Sequence, residues 1–335
     1  MNYIGSKYSL LDFLQETIAN VTGYKDDDKF IFADLFAGTG VVGAAYKRKG
    51  CYVISNDIQY YSYVINKHLI ENIPPIESTE LFNKLNELEG IQGFVFNNYC
   101  AGSGCGRNYF IDNNGMRCDA IRTELEKLYK ASEIEESTYF YFLASLINSI
   151  DKYANTASVY GAFLKHIKSS AKRAFQLELL PIIDGPKGKV YNENVNLLVR
   201  KISGDVLYLD PPYNTRQYCT NYHVLETIAR YDTPILKGKT GLREYSKQKS
   251  EFCSKRTVIS AFEDLIAQAD FKYVFLSYNN EGLMSLDTIK EIMSKYGEYR
   301  CFTHNYRRFK ADKDENRNIA ANTTTEYLHC LIKEI

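Results

Sequence analysis

Phe30-Ile31-Phe32-Ala33-Asp34-Leu35-Phe36-Ala37-Gly38-Thr39-Gly40 is the stretch that decides the fold. An apolar run interrupted by a single acid has the pattern of a strand buried on both faces, as in a parallel sheet. The glycines that follow open a sharp turn into a helix from about Val41 to Lys49, and a second strand, Tyr52-Val53-Ile54-Ser55-Asn56, ends on Asp57. Strand, glycine turn, helix, strand and acid make one βαβ unit with a nucleoside-binding plan. Glycine lets the backbone approach a ligand, and the helix N-terminus offers free N–H groups. Gly38 and Gly40 followed by Gly43 match the spacing of a dinucleotide fingerprint. Asp34 inside the turn, however, is a poor neighbour for a diphosphate and a good one for a cationic amino-acid moiety. An adenosine carrying an amino acid suits Asp34 and, through its ribose hydroxyls, Asp57. S-adenosylmethionine is such a ligand.

Outward from this unit, residues 2–7 (Asn2-Tyr3-Ile4-Gly5-Ser6-Lys7) read as a loop before an amphipathic helix with Leu10, Leu11, Leu14 and Ile18 on one side. Between about 72 and 189 the strand–helix alternation lapses into helices (roughly 76–89, 116–131, 133–150 and 170–179) and a glycine- and cysteine-containing loop at 99–107. Strands resume at Val190-Tyr191, Asp205–Leu209, Tyr273–Ser277 and Tyr327–Ile332, with helices near 222–231, 256–269 and 285–296. The pattern predicts an α/β fold, a mixed sheet with helices on both faces. Residues 1–71 and 190–335 would form the catalytic domain, and 72–189 a helical insert carrying target recognition.

A chain of 335 residues can bury a full core without staples. Lys plus Arg equals Asp plus Glu, 41 against 41, so a polyanionic partner must be held by local segregation of charge. The eight cysteines are scattered and no apolar run approaches the ~20 residues of a membrane span, which predicts a soluble protein of a reducing, cytoplasmic compartment. Cys100, Cys105 and Cys118 lack a paired Cys-x-x-Cys or a nearby histidine, so their spacing argues against zinc, and no metal is expected.

The chemistry centres on Asp210-Pro211-Pro212-Tyr213, directly after the apolar run Val206-Leu207-Tyr208-Leu209. A buried strand that ends in a carboxylate, two prolines and an aromatic places an acceptor and a flat surface at the carboxyl edge of the sheet. The prolines lack N–H donors, so backbone carbonyls there remain acceptors. That suits a planar exocyclic amine, whose lone pair is delocalised until acceptors draw on its N–H bonds.

The order Asn2–Lys7, Asp34–Gly40, Asp57, Asp210–Tyr213 resembles the Dam-like, alpha-group N6-adenine DNA methyltransferases of restriction-modification systems. Asp119-Ala120-Ile121-Arg122, Ala154–Leu164, Tyr222–Glu226, Leu276–Gly282 and Thr325-Glu326-Tyr327-Leu328 match as well. The resemblance implies a Rossmann-like, seven-stranded S-adenosylmethionine-dependent methyltransferase sheet. It places Tyr3 and Lys7 beside the cofactor, Phe36, Gly38 and Gly40 along it, and Asp57 on its ribose, with Ile58 also against the cofactor. Asp210 and Pro211 would hold the target amine while the Tyr213 ring stacks on the target base, its hydroxyl acting as neither acid nor base. Relatives carry an aromatic or acidic residue where this chain has Asn192-Glu193-Asn194-Val195, and Asn194 would substitute there. The implied partners are double-stranded DNA and a cognate restriction endonuclease. Two basic stretches offer phosphate contacts: Lys237 to Arg256, including Arg243 and Lys255, and Arg307, Arg308 and Lys310 with Lys313 and Arg317. Other readings stay open. An RNA or protein-amide methyltransferase more often has Asn in place of Asp210, an N4-cytosine enzyme Ser. A silent cofactor- or DNA-binding subunit would not need Asp210.

Overall fold

The computed structural model describes residues 3–76, 78–307 and 323–334. The chain divides into two compact units. A sheet unit comprises Ser6–Ile58, Asp184–Gln217 and Gln248–Ile335, and a helical unit comprises Met1–Gly5, Gln59–Ile183 and Tyr218–Lys247.

The sheet unit is built on seven strands: β1 (Ile31–Asp34), β2 (Tyr52–Asn56), β3 (Lys189–Tyr191), β4 (Ser203–Leu209), β5 (Asp270–Asn279), β6 (Glu298–Arg307) and β7 (Thr323–Ile332). Their spatial order is β3-β2-β1-β4-β5-β7-β6. The first five in that order run parallel, whereas β7 pairs antiparallel with both β5 and β6. The chain therefore winds outward from β1 to β3 and returns to place β4 beside β1. Their carboxyl ends flank the reversal point, where open α/β sheets bind ligands.

Helices cover both faces. On one face Ala33, Leu207, Val274 and Leu276 share a core with Val258, Phe262 and Leu265 of the helix Val258–Gln268. On the other, Tyr46 of the helix Val41–Arg48 stacks on Phe32 with ring centroids 3.8 Å apart. Leu207 is fully buried at the centre, and truncating it to Ala would cost about 2–5 kcal/mol. The antiparallel β6 was not expected. Its sequence, Glu-Tyr-Arg-Cys-Phe-Thr-His-Asn-Tyr-Arg, is that of a half-solvated edge strand without a continuous apolar run.

The helical unit contains Tyr60–Asn66, Thr79–Glu87, Phe94–Tyr99, Asp112–Lys130, Glu136–Lys152, Tyr218–Asn221 and His223–Arg230. Its limits differ from the expected 72–189. The helix Tyr60–Asn66 buries Tyr61, Val64 and Ile65 in this unit's core, and His223–Arg230 adds Val224, Leu225 and Ile228. Glu226 ties the two together by accepting from Tyr61 N at 3.0 Å. The expected helix at 170–179 is a single 3-10 turn, Ser169–Lys172, followed by irregular chain. Side chains on neighbouring helices supply the acceptors that a helix would have provided internally. Asn114 takes the N–H of Phe175, Ser149 that of Glu178 and Ser145 that of Leu180.

Candidate active site

Two strand ends carry the site, both in the sheet unit. At the exit of β1, Asp34 is 1% exposed, and its Oδ2 accepts from Gly43 N at 3.3 Å while Oδ1 has no hydrogen-bond partner. Burial first, and the neighbouring Asp210 second, push its carboxyl up to about 8, only partly offset by the Gly43 N–H. Gly38 (φ 51) and Gly40 (φ 73) are in the left-handed region, which lets the turn close over this carboxylate without a Cβ penalty. Asp57, just past β2, accepts from Gly38 N at 2.9 Å and so pins the turn from the next strand.

Asn56 is a structural contributor that the sequence reading missed. Its amide donates to Leu35 O and Glu193 O, both at 3.2 Å, and its Oδ1 accepts from Glu193 N at 3.0 Å. It thereby clamps the turn after β1 to the segment after β3. An amide at the end of an otherwise apolar strand was the available signal. Asn194 has a local hydrogen-bonding job in the fold. Its side-chain oxygen caps the short helix Val195–Leu198, accepting from the N–H groups of Asn196 and Leu197. Ile58 follows Asp57 half-buried, and Phe36 lies edge-on against Phe252, with ring centroids 5.1 Å apart.

At the exit of β4, Asp210 Oδ1 receives Lys7 Nζ at 2.8 Å and the Tyr213 hydroxyl at 2.7 Å. Glu326, from β7, brings Oε1 to 2.6 Å from the same hydroxyl and 3.6 Å from Lys7 Nζ. Lys7 also lies over the Tyr213 ring, 5.0 Å from its centroid. Tyr213 is thus bound through its hydroxyl as well as its ring, which rests on Tyr278 at 5.0 Å. The hydroxyl, expected to serve as neither acid nor base, has two carboxylate-side partners here. Burial first, then Asp210, hold its phenol well above the usual range. Burial likewise raises the Glu326 carboxyl, against the lowering by Lys7. Pro211 is buried and Pro212 half-buried, completing a rigid exit. Glu326 escaped notice as a functional candidate, although an acid within the strand Thr323–Ile332 was a signal.

Tyr3 belongs to the helical unit, where it stacks on Tyr222 with ring centroids 4.8 Å apart. Arg243 is 7% exposed and forms a two-point pair with Asp232 at 3.0 and 2.6 Å, so it is a structural cation and not a phosphate contact. Lys255 is exposed in the turn before Val258–Gln268. Arg307 ends β6, whereas Arg308, Lys310, Lys313 and Arg317 lie outside the described residues. Cys100 and Cys118 are buried thiols of the helical unit, both raised by burial, and Cys105 is half-buried. Among the described residues no group of three or more His, Cys, Asp or Glu side chains could hold a metal ion.

A doubly wound sheet with a glycine turn on β1 and an Asp-Pro-Pro-Tyr exit on the adjacent β4 defines an α/β methyltransferase. The family follows from comparison with known proteins. Residues 3–292 match the model of the D12 class N6 adenine-specific DNA methyltransferases, and the chain belongs to that family. It is 52% identical to a protein of Neisseria lactamica named Type II methyltransferase M.NlaIII, over 99% of each chain. It is 40% identical to Type II methyltransferase M.FokI of Planomicrobium okeanokoites, matching all of this chain and 53% of that one. Type II methyltransferase M.CviAII of Paramecium bursaria Chlorella virus 1 is 35% identical, over 98% of this chain and 97% of its own. The protein is a site-specific DNA adenine N6-methyltransferase. This excludes the RNA, protein-amide, N4-cytosine and silent-subunit readings.

Proposed function

We propose that this enzyme transfers the methyl group of S-adenosylmethionine to N6 of an adenine flipped out of duplex DNA, with Asp210 as the activating acceptor. The observation that carries this is the constrained carboxylate: Lys7 and Tyr213 both engage Oδ1 of Asp210 at the carboxyl end of β4. With Oδ1 occupied, Oδ2 and the Pro211 carbonyl are the acceptors for the two N–H bonds of the amine.

The β1 turn fits the cofactor. The partnerless Oδ1 of Asp34 belongs to a buried carboxyl held neutral by its surroundings, which a cation seated beside it would ionise and pair with, and Asp57 stands at the end of β2, the position suited to ribose hydroxyls. Asp34 and Asp57 would hold the amino-acid and ribose ends, with Phe36, Gly38, Gly40 and Ile58 between them. When bound, S-adenosylmethionine supplies the electrophilic methyl group. No metal takes part in this scheme. Asp210 draws electron density toward nitrogen by accepting N–H bonds, and the Tyr213 ring packs on the extruded base. Flipping costs a few kcal/mol, and each aromatic–base stack returns roughly 1–3 kcal/mol. Positioning and preorganised charge supply the rate.

Base recognition is assigned to the helical unit, and phosphate contacts to Lys255 and the Arg307–Arg317 segment. The enzyme would work in the bacterial cytoplasm and protect DNA from a cognate restriction endonuclease. Among the described residues no helix is long and apolar enough to cross a membrane. Asp210→Ala should abolish tritiated-methyl transfer to DNA while cofactor binding, measured by calorimetry, stays within a few-fold. Transfer by that variant near the wild-type rate would refute the assignment.

A further inference from the structure

The group around Asp210 poses a problem of proton count. The Tyr213 oxygen is 2.7 Å from Asp210 Oδ1 and 2.6 Å from Glu326 Oε1. Two links of that length require two protons, because one phenolic hydrogen shared between two oxygens leaves both bonds bent and weak. Tyr213 has one hydrogen, so a carboxyl must hold the other. Asp210 is the wrong holder: Lys7 Nζ faces it at 2.8 Å, and its side chain is 15% exposed against 1% for Glu326. Glu326 meets the requirement. Its Oε2 is buried without a hydrogen-bond partner, a situation far more costly for an ionised oxygen than for a neutral acid.

We propose that Glu326 is a neutral carboxylic acid that donates its proton to the Tyr213 oxygen, so that Tyr213 donates to Asp210 Oδ1; Glu326 is then a positioning residue for the catalytic carboxylate. The inference rests on the Asp210 reading above. The chain of donors runs in one direction, Glu326 to Tyr213 to Asp210, and Lys7 adds a second donor to the same oxygen. Asp210 is thereby held ionised as an acceptor, with Oδ2 turned to the amine, and the Tyr213 ring is fixed in place.

The groups facing Glu326 are Lys7 from the N-terminal segment, Tyr208 of β4, Asp210 and Tyr213 beyond it, and the cross-strand neighbours Asn279 and His304. Burial and Asp210 favour the neutral acid, while Lys7 and Tyr213 oppose it. When alkaline pH removes the proton, Glu326 becomes an acceptor that competes with Asp210 for the phenolic hydrogen, and transfer slows.

The test uses the full-length wild type with E326Q, E326L and D210A, each first checked for a cooperative thermal transition. Infrared difference spectra of wild type against E326Q at neutral pH should show the carbonyl band of a protonated acid; a carboxylate pair of bands instead would overturn the proposal. Single-turnover methyl transfer at saturating S-adenosylmethionine and DNA supplies the second readout. E326L should lose about 10- to 100-fold in rate with little change in KM for either substrate. E326Q, whose amide donates at any pH, should stay within a few-fold of wild type and lack its alkaline decline. Wild-type rates in E326L, or an unchanged alkaline decline in E326Q, would also overturn it. D210A separates the two readings: if it is inactive while E326L is fully active, only the role of Glu326 fails, whereas an active D210A removes the Asp210 assignment itself.

Discussion

Replacing Asp34 by Asn should make the protein more stable and a poorer methyltransferase, and the gain should grow with pH. Asp34 is 1% exposed and its carboxyl is raised from 3.8 to about 8. A folded-state value above the unfolded one means that the native protein holds a proton that the unfolded chain releases between these limits. The stability contribution is therefore complete below the unfolded value and is lost as pH rises through the folded one. A shift of about four units corresponds to a ceiling on the order of 5 kcal/mol. Asn is neutral throughout, and its amide oxygen can still accept from Gly43 N. The urea midpoint of Asp34→Asn should thus lie slightly above wild type at pH 5 and far above it at pH 9. Calorimetry at pH 8 should show weakened S-adenosylmethionine binding, because the counter-charge for the cation is gone. This is a stability–activity trade-off located on one atom pair. A urea-midpoint difference that does not change between pH 5 and pH 9 would show that Asp34 is already ionised in the native protein and would refute the argument.

Tyr213→Phe should lower turnover about tenfold or more. Removing the hydroxyl takes one of two donors from Asp210 Oδ1, leaving only Lys7, and strips the buried Glu326 acid of its acceptor, a loss of about 1–3 kcal/mol; wild-type turnover in steady-state kinetics would restore a stacking-only role. Asp57→Ala should raise the S-adenosylmethionine dissociation constant roughly tenfold, since a charged hydrogen bond is worth about 1.5–3 kcal/mol, and unchanged binding by calorimetry would place the ribose elsewhere. Arg243→Ala should lower the thermal midpoint and leave the salt dependence of DNA binding unchanged, whereas Lys255→Ala should flatten the log–log salt slope by about one unit. A flattened slope in Arg243→Ala would make it a phosphate contact despite its pairing with Asp232.

Local sequence determined the elements whose environment is uniform along their length. β1, β2 and β4 are buried on both faces, so their apolar runs were readable, and the acids at their ends marked Asp34, Asp57 and Asp210 without any knowledge of packing. Tertiary structure decided what those acids do. The raised carboxyl of Asp34 comes first from its burial at the exit of β1 and second from Asp210, which β4, far away in sequence, brings alongside. Glu326 reaches Tyr213 only because β7 enters antiparallel beside β5, and β6, lying at an edge, lacked the apolar run that would have announced it. Arg243 looked like one more surface cation until its carboxylate partner and its burial were seen. Residues 170–179 carry a helical pattern, but past the turn Ser169–Lys172 they form neither helix nor strand, and acceptors on Asn114, Ser145 and Ser149 take N–H groups of Phe175, Leu180 and Glu178. Periodicity reports which face of an element is apolar; it cannot report which distant side chain will supply a hydrogen-bond partner, and at this site those partners set the protonation and orientation on which the chemistry depends.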